Sequence, residues 1–210
     1  MKEEKHEKPD KPDKQDKTEP ILEFVHSNAI TILILLSFSI LLSFPERHWV
    51  DAGFGLLCMY VWVYFVHRLL HAIPEDSVFQ YLNTHVLFHH HKHVERTTDL
   101  SIETLNNLAM SFSVLYIQWL TGVWVVPTSV ILLYAFVYTS THIINYSMFG
   151  SQTHRNHHKD MTTNYGPDTL DHVFGSNYDS TFEDLTPISL NAIGSFVVVY
   201  GLKQYFQWKN

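Results

Sequence analysis

The chain has 210 residues, a formal net charge of -7, 15 His and one Cys. A single thiol excludes an internal disulfide and any cluster held by several thiolates, so a bound metal would rest mainly on imidazole, a donor suited to Zn, Cu, Fe or Ni. The acidic balance argues against a nucleic-acid partner.

Residues 1–20, MKEEKHEKPDKPDKQDKTEP, carry Lys at every third position from Lys2 to Lys17 and no apolar residue after Met1. Such a segment cannot bury a core and is expected to be a disordered, solvated tail. Residues 24–44, FVHSNAITILILLSFSILLSF, contain no Asp, Glu, Lys or Arg. At about 1.5 Å per residue they are long enough to cross a bilayer, and residues 21–48 are read as a first transmembrane helix with its loop. The long mixed-charge tail ahead of this run, and Phe44 and Pro45 behind it, do not fit a cleaved signal peptide, so the helix is expected to be retained.

A second apolar run covers residues 49–66, with Trp49, Tyr60, Trp62, Tyr64 and Phe65 as interfacial aromatics and Asp51 as the expected cap. Residues 104–154 then carry no Asp, Glu, Lys or Arg, enough chain for two crossings at 105–123 and 127–146, with Gly122 and Pro127 punctuating a hairpin. Residues 188–200 are shorter; a helix lying on or against the membrane is expected, a fifth crossing being the alternative. The expected fold is all-α: a polytopic membrane protein of about four transmembrane helices with a cytosolic helical layer. In that arrangement 13 of the 14 Lys and Arg face the cytosol and Arg47 alone does not, which satisfies the positive-inside rule.

The histidines sort onto the cytosolic mouths of these helices. His67 and His71, in HRLLH, share one helical face; alone, the pair reads better as an amphipathic interfacial turn. NTHVLFHHHKH places His85 and His89 four apart with His90 following, and His91 and His93 as alternates if the register shifts. HRNHH supplies His154, His157 and His158 at spacings of three and four. His142 lies inside an apolar segment, where an ionisable group needs a partner, either a metal or a hydroxyl such as that of Thr141. Nine imidazoles exceed the four of one tetrahedral ion and suit two metals.

At these residues the sequence resembles the fatty acid hydroxylase/sterol desaturase superfamily of integral membrane di-iron oxygenases. HRLLH matches its HxxxH box, HVLFHH an HxxxHH box and HRNHH its final HxxHH box. Asn164, Tyr165 and Gly166, then DHVFGS from Asp171 to Ser176, are similar to the NYG and DxxFG(T/S) pattern that follows the last box. The middle box departs from the usual HxxHH by one extra residue.

The resemblance implies a catalytic domain over residues 49–210 with two Fe ions, or Zn as a substitute, held by the nine histidines. It further implies hydroxylation or desaturation of a fatty acyl chain or sterol with O2, a separate electron donor such as cytochrome b5 or a reductase, and an endoplasmic-reticulum or equivalent membrane with the site on the cytosolic face. Asp160, Asp168 and Asp171, with Asn164, are candidates for accepting the far N–H of a ligand histidine, capping and loop hydrogen bonding being an equal alternative. Gly166 and Gly175 read as turn geometry. A histidine-rich metal transporter and a non-catalytic metal-binding membrane protein are the rival functions.

Overall fold

The apolar runs fold as helices throughout the residues that the computed structural model describes, 18–74, 76–90 and 96–208, and among these the protein is all-α. The first expected helix is two. α1 (Thr18–Ser27) and α2 (Ala29–Ser43) meet at 69° around Asn28. Asn28 Nδ2 donates back to Phe24 O at 3.0 Å, while its Oδ1 accepts from Leu185 N at 2.8 Å. A buried amide satisfied on both sides fixes the bend, and the apolar count around it gave no sign of this. Helix α1 also begins three residues inside the segment read as tail; residues 1–17 lie outside the described residues.

α3 (Trp49–Ala72) extends the second apolar run so that HRLLH forms its last turns. Its N-cap is His48, whose Nδ1 accepts from Val50 N at 3.3 Å; Asp51 is not the cap but sits in the first turn, where its charge favours the helix dipole. Gly55 lets α3 approach the start of the fifth helix: a Cβ there would lie 2.9 Å from Pro127 Cδ and 3.2 Å from Val126 Cγ1. Gly55→Ala gains about 1 kcal/mol of helix propensity but meets a rigid ring, an overpacking cost of about 1–3 kcal/mol. A lower melting temperature in detergent is expected, and an unchanged or higher one would show that the ring can move.

Among the described residues α3 alone is long and apolar enough to cross a membrane, joined by the α1–α2 pair if that counts as one span. The two further crossings expected from residues 104–154 do not meet the same standard, because a stretch without formal charge is not thereby apolar. α4 (Arg96–Thr121) carries Asn106, Asn107, Ser111, Ser113 and Gln118, and the next run divides into α5 (Thr128–Ser140) and a π-helix (Thr141–Met148). Buried Gln118 closes the turn between them, accepting from Val125 N and Val126 N and donating to Val126 O.

α5 is the central helix. One face packs Val126, Val130 and Ile131 on Ala52 and Met59 of α3. The other packs Leu133 and Val137 on Leu42 of α2 and on Ile188, Ala192 and Val199 of α8 (Ile188–Phe206). Residues 188–200, expected as a helix on or against the membrane with a fifth crossing as the alternative, form part of α8, which packs into the bundle. It runs beside α2 from end to end, with Ser189 Oγ 2.8 Å from Thr31 Oγ1 at one end and Lys203 Nζ donating to Leu42 O at 2.6 Å and pairing with Glu46 Oε2 at 2.8 Å at the other. Its apolar length is used against α2 and α5.

Candidate metal centre

The histidine boxes converge where α3, a π-helix (His85–His90), the second π-helix (Thr141–Met148) and α6 (Gln152–Lys159) come together. One group holds His67 and His71 from α3, His85 and His90 from the first π-helix and His157 from α6, with one ligand atom of each within 4.8 Å of the others. His67 Nε2 lies 2.9 Å from His85 Nε2, and His71 Nε2 lies 3.2 Å from both; His90 Nε2 is 3.3 Å from His85 Nε2. The extra residue of the second box is absorbed by the wider π turn, a form rare enough that it usually marks a functional position. His85, His89 and His90 all reach the centre in this way; His91 and His93 lie outside the described residues.

These contacts are not ordinary hydrogen bonds. His67 Nδ1 is 2.6 Å from Tyr165 O and His157 Nδ1 is 2.6 Å from Thr163 O. A carbonyl only accepts, so the proton of each neutral ring sits on Nδ1 and Nε2 presents a lone pair to the centre. Burial pushes His85 and His90 well below the ordinary imidazole range and His157 down to about 4, each further opposed by neighbouring imidazoles, so protonation does not supply the missing positive charge. Lone pairs gathered at 2.9–3.3 Å suit a cation, because ligands about 2.1 Å from one metal stand about 3.0–3.4 Å apart. The residues fit a bound metal ion.

A second group brings together His89, His142, His154 and Glu103; His158 Nε2, 3.0 Å from His89 and 3.1 Å from His154, forms a further set with His89 and His90. Adjacent residues on a helix point about 100° apart, so His90 and His157 turn toward the first group and His89 and His158 toward the second, with His90 also within reach of His158. Eight of the nine predicted histidines stand in these two groups, and His158 stands beside the second. Glu103, which sequence reasoning missed, is 1% exposed and places Oε1 2.8 Å from His142 Nε2 and 3.7 Å from His89 Nε2. Its signal was present: Asp99 and Glu103 share a helix face and are the last acids before the uncharged stretch.

Residues 52–176 match the family model described as Fatty acid hydroxylase, more than half of the chain and a span that holds every histidine of both groups. The chain belongs to the fatty acid hydroxylase family. No curated protein and no solved structure matches it. Membership in the fatty acid hydroxylases implies a membrane-associated, metal-dependent oxidoreductase, in keeping with the apolar α3 and the imidazole groups.

The segment that closes the fatty acid hydroxylase match acts through its backbone. Asp171, 1% exposed, takes Tyr165 N at 3.0 Å and Ser176 Oγ at 2.7 Å on Oδ1, and Gly166 N at 2.6 Å on Oδ2. Gly175, at φ 70, ends α7 (Asp168–Phe174) in the left-handed form that lets Ser176 N return to Asp171 O. Asn164, itself at φ 48, accepts from Tyr178 N and donates to Thr153 O. Asp160 receives Thr162 N and Oγ1, and Asp168 receives Glu183 N.

Among the hydrogen bonds of the described residues, then, none of the four predicted partners takes a ligand N–H. Asp160, Asp168, Asp171 and Asn164 organise turns instead, and the loop carbonyls Tyr165 O and Thr163 O accept from the ligands. The carboxylate beside a ligand Nδ1 is Asp99, 3.3 Å from His89.

Burial raises the Asp168 carboxyl from 3.8 to about 7, with Glu183 and Asp171 adding repulsion. A carboxyl with a raised folded pKa contributes its stability below about pH 4 and loses it as pH climbs through 7. Asp168→Asn keeps an acceptor for Glu183 N and removes this titration. Melting curves in detergent are therefore expected to favour the Asn variant increasingly from pH 5 to pH 8, and a gap between the two that stays constant over that range would contradict the assignment.

Proposed function

We propose that the protein is a membrane-embedded di-iron oxygenase that hydroxylates or desaturates a lipid, an acyl chain or sterol, with electrons from a separate donor such as cytochrome b5 or a reductase. The observation that carries this reading is an apolar cavity of about 140 Å³ that joins the helix bundle to both imidazole groups. Leu35, Val137 and Ile188 line it from the bundle, and His67, His154 and His157 line it from the centre. Two irons bound there would supply the reduction of O2, one oxygen atom entering the C–H bond and the other leaving as water, or both leaving as water when an alkene forms.

The chain's own residues do the rest. Apolar walls hold a hydrocarbon segment against the centre and keep bulk water from it. Tyr165 O and Thr163 O hold the protons of His67 and His157 on Nδ1, which leaves Nε2 free to bind. The apolar outer faces of the bundle, exposed at Leu33, Phe54, Leu57, Trp119 and Val197, suit contact with lipid. In this proposal four or five helices cross an endoplasmic-reticulum or equivalent membrane with the centre on the cytosolic side. Because α8 follows α2, Lys203 joins Arg47 on the far side and the positive bias toward the cytosol remains large.

Metal transport is the weaker reading, because a transport path needs polar ligands along the depth of the membrane and these ligands gather at one end. The test is a lipid profile, with 18O2 tracing, of cells expressing the wild type or a variant with both His157 and His158 replaced by alanine. A labelled alcohol or a new alkene in the wild type alone supports oxygenation. Identical profiles in the two, or metal flux through proteoliposomes without a lipid product, would overturn it.

A further inference from the structure

The buried carboxylate of Glu103 has no role in a centre built from histidine boxes alone, and its surroundings leave few alternatives. Among the described residues its ion-pair contacts are with His89 and His142 only. If those imidazoles bind metal through Nε2, the same atoms cannot also donate a hydrogen bond to Glu103. His142 Nε2 stands 2.8 Å from Glu103 Oε1, and both side chains are buried. Two ligand atoms that converge on a third point have this relation.

Glu103 Oε2 is likewise buried without a hydrogen-bond partner, while Ser147 Oγ donates to Oε1 at 2.5 Å and fixes the carboxylate's orientation. A carboxylate that is 1% exposed requires a positive charge nearby. A cation bound among the ligand atoms gathered here would supply it.

We propose that Glu103 is a tenth protein ligand, an oxygen donor to the metal of the second group, where it joins His89, His142, His154 and His158. The two metals then differ in kind. The first, bound by five imidazoles, keeps the full charge of its divalent ion, whereas the second has one unit neutralised by the carboxylate and is the more easily oxidised. The inference rests on the metal-centre reading above, and its test separates the two.

Full-length protein purified in detergent and loaded with 57Fe(II) should hold two irons per chain and give two Mössbauer quadrupole doublets of equal area. Glu103→Gln preserves the shape and removes the charge; it should weaken iron binding at one site by about tenfold or more, lowering the content toward one iron and removing one doublet while the other stays in place. Glu103→Asp should recover part of the loss.

Two irons with both doublets unchanged in Glu103→Gln would leave the metal centre standing and overturn the ligand role. A wild type that binds no stoichiometric iron would overturn the metal centre itself, and this inference with it. Should Glu103→Gln fail to accumulate, Glu103→Asp decides: a change in one doublet alone supports the ligand role, and both doublets unchanged refute it.

Discussion

Alanine at both His157 and His158 should lower lipid product by roughly 100-fold or more and reduce bound metal from two ions per chain toward none. The two residues are adjacent, yet His157 belongs with His67, His71, His85 and His90, while His158 Nε2 lies 3.0 Å from His89 and 3.1 Å from His154. One short substitution therefore removes a ligand from each site. Loss of a residue that only orients a ligand lowers metal affinity or activity by about 10–100-fold, and loss of a ligand from both sites should exceed that.

The single variants should divide the effect, His157→Ala weakening the five-imidazole site and His158→Ala the other. His26→Ala, on an exposed face of α1 outside both groups, should leave metal and product unchanged. Metal analysis and lipid profiling answer separate questions. A wild type rich in metal whose lipid extract matches that of cells without the protein would point to a non-catalytic metal-binding protein, whereas unchanged product in the double variant would sink the site assignment.

The histidine pattern was legible because helical spacing is a local property. His67 with His71, and His154 with His158, share a face whatever the bundle does. What could not be read was the division of labour between boxes, since two sites interleave and each takes members from the second and third. The register of HVLFHH was hidden for a related reason: the π-helix that seats it depends on neighbours that the spacing does not show.

Glu103 was hidden by its ordinary sequence context, a charged residue at the start of a helix, which most often faces water. Asn28 bends the first apolar run and α8 stands along α2 through contacts 157 and 158 residues apart in sequence, at Asn28 with Leu185 and at Thr31 with Ser189. Apolar count and length do not encode such pairings, which is why the layer of helices was anticipated more fully than its path.

Asp171→Ala should destabilise the fold by about 3 kcal/mol or more and weaken metal binding at one site only. The carboxylate satisfies Tyr165 N, Gly166 N and Ser176 Oγ in a buried setting, and each donor left unpaired costs about 1–3 kcal/mol, offset where water can enter. Ser176 Oγ also lies 2.8 Å from Tyr64 Oη, so the loss reaches α3. The consequence for the centre runs through Tyr165, whose carbonyl holds the Nδ1 proton of His67 and whose backbone loses its anchor in the variant. The first site should lose metal affinity by about 10–100-fold.

The second site, whose His89 leans on Asp99, is reached from this loop by a longer path, from Asn164 to Thr153 O beside His154, and should keep its ion. Asp171→Asn, which retains one acceptor oxygen, should fall between alanine and the wild type. Thermal melting paired with metal titration measures both effects. A uniform loss of both ions would indicate general unfolding, and full retention of both would show that Tyr165 O does not set the orientation of His67.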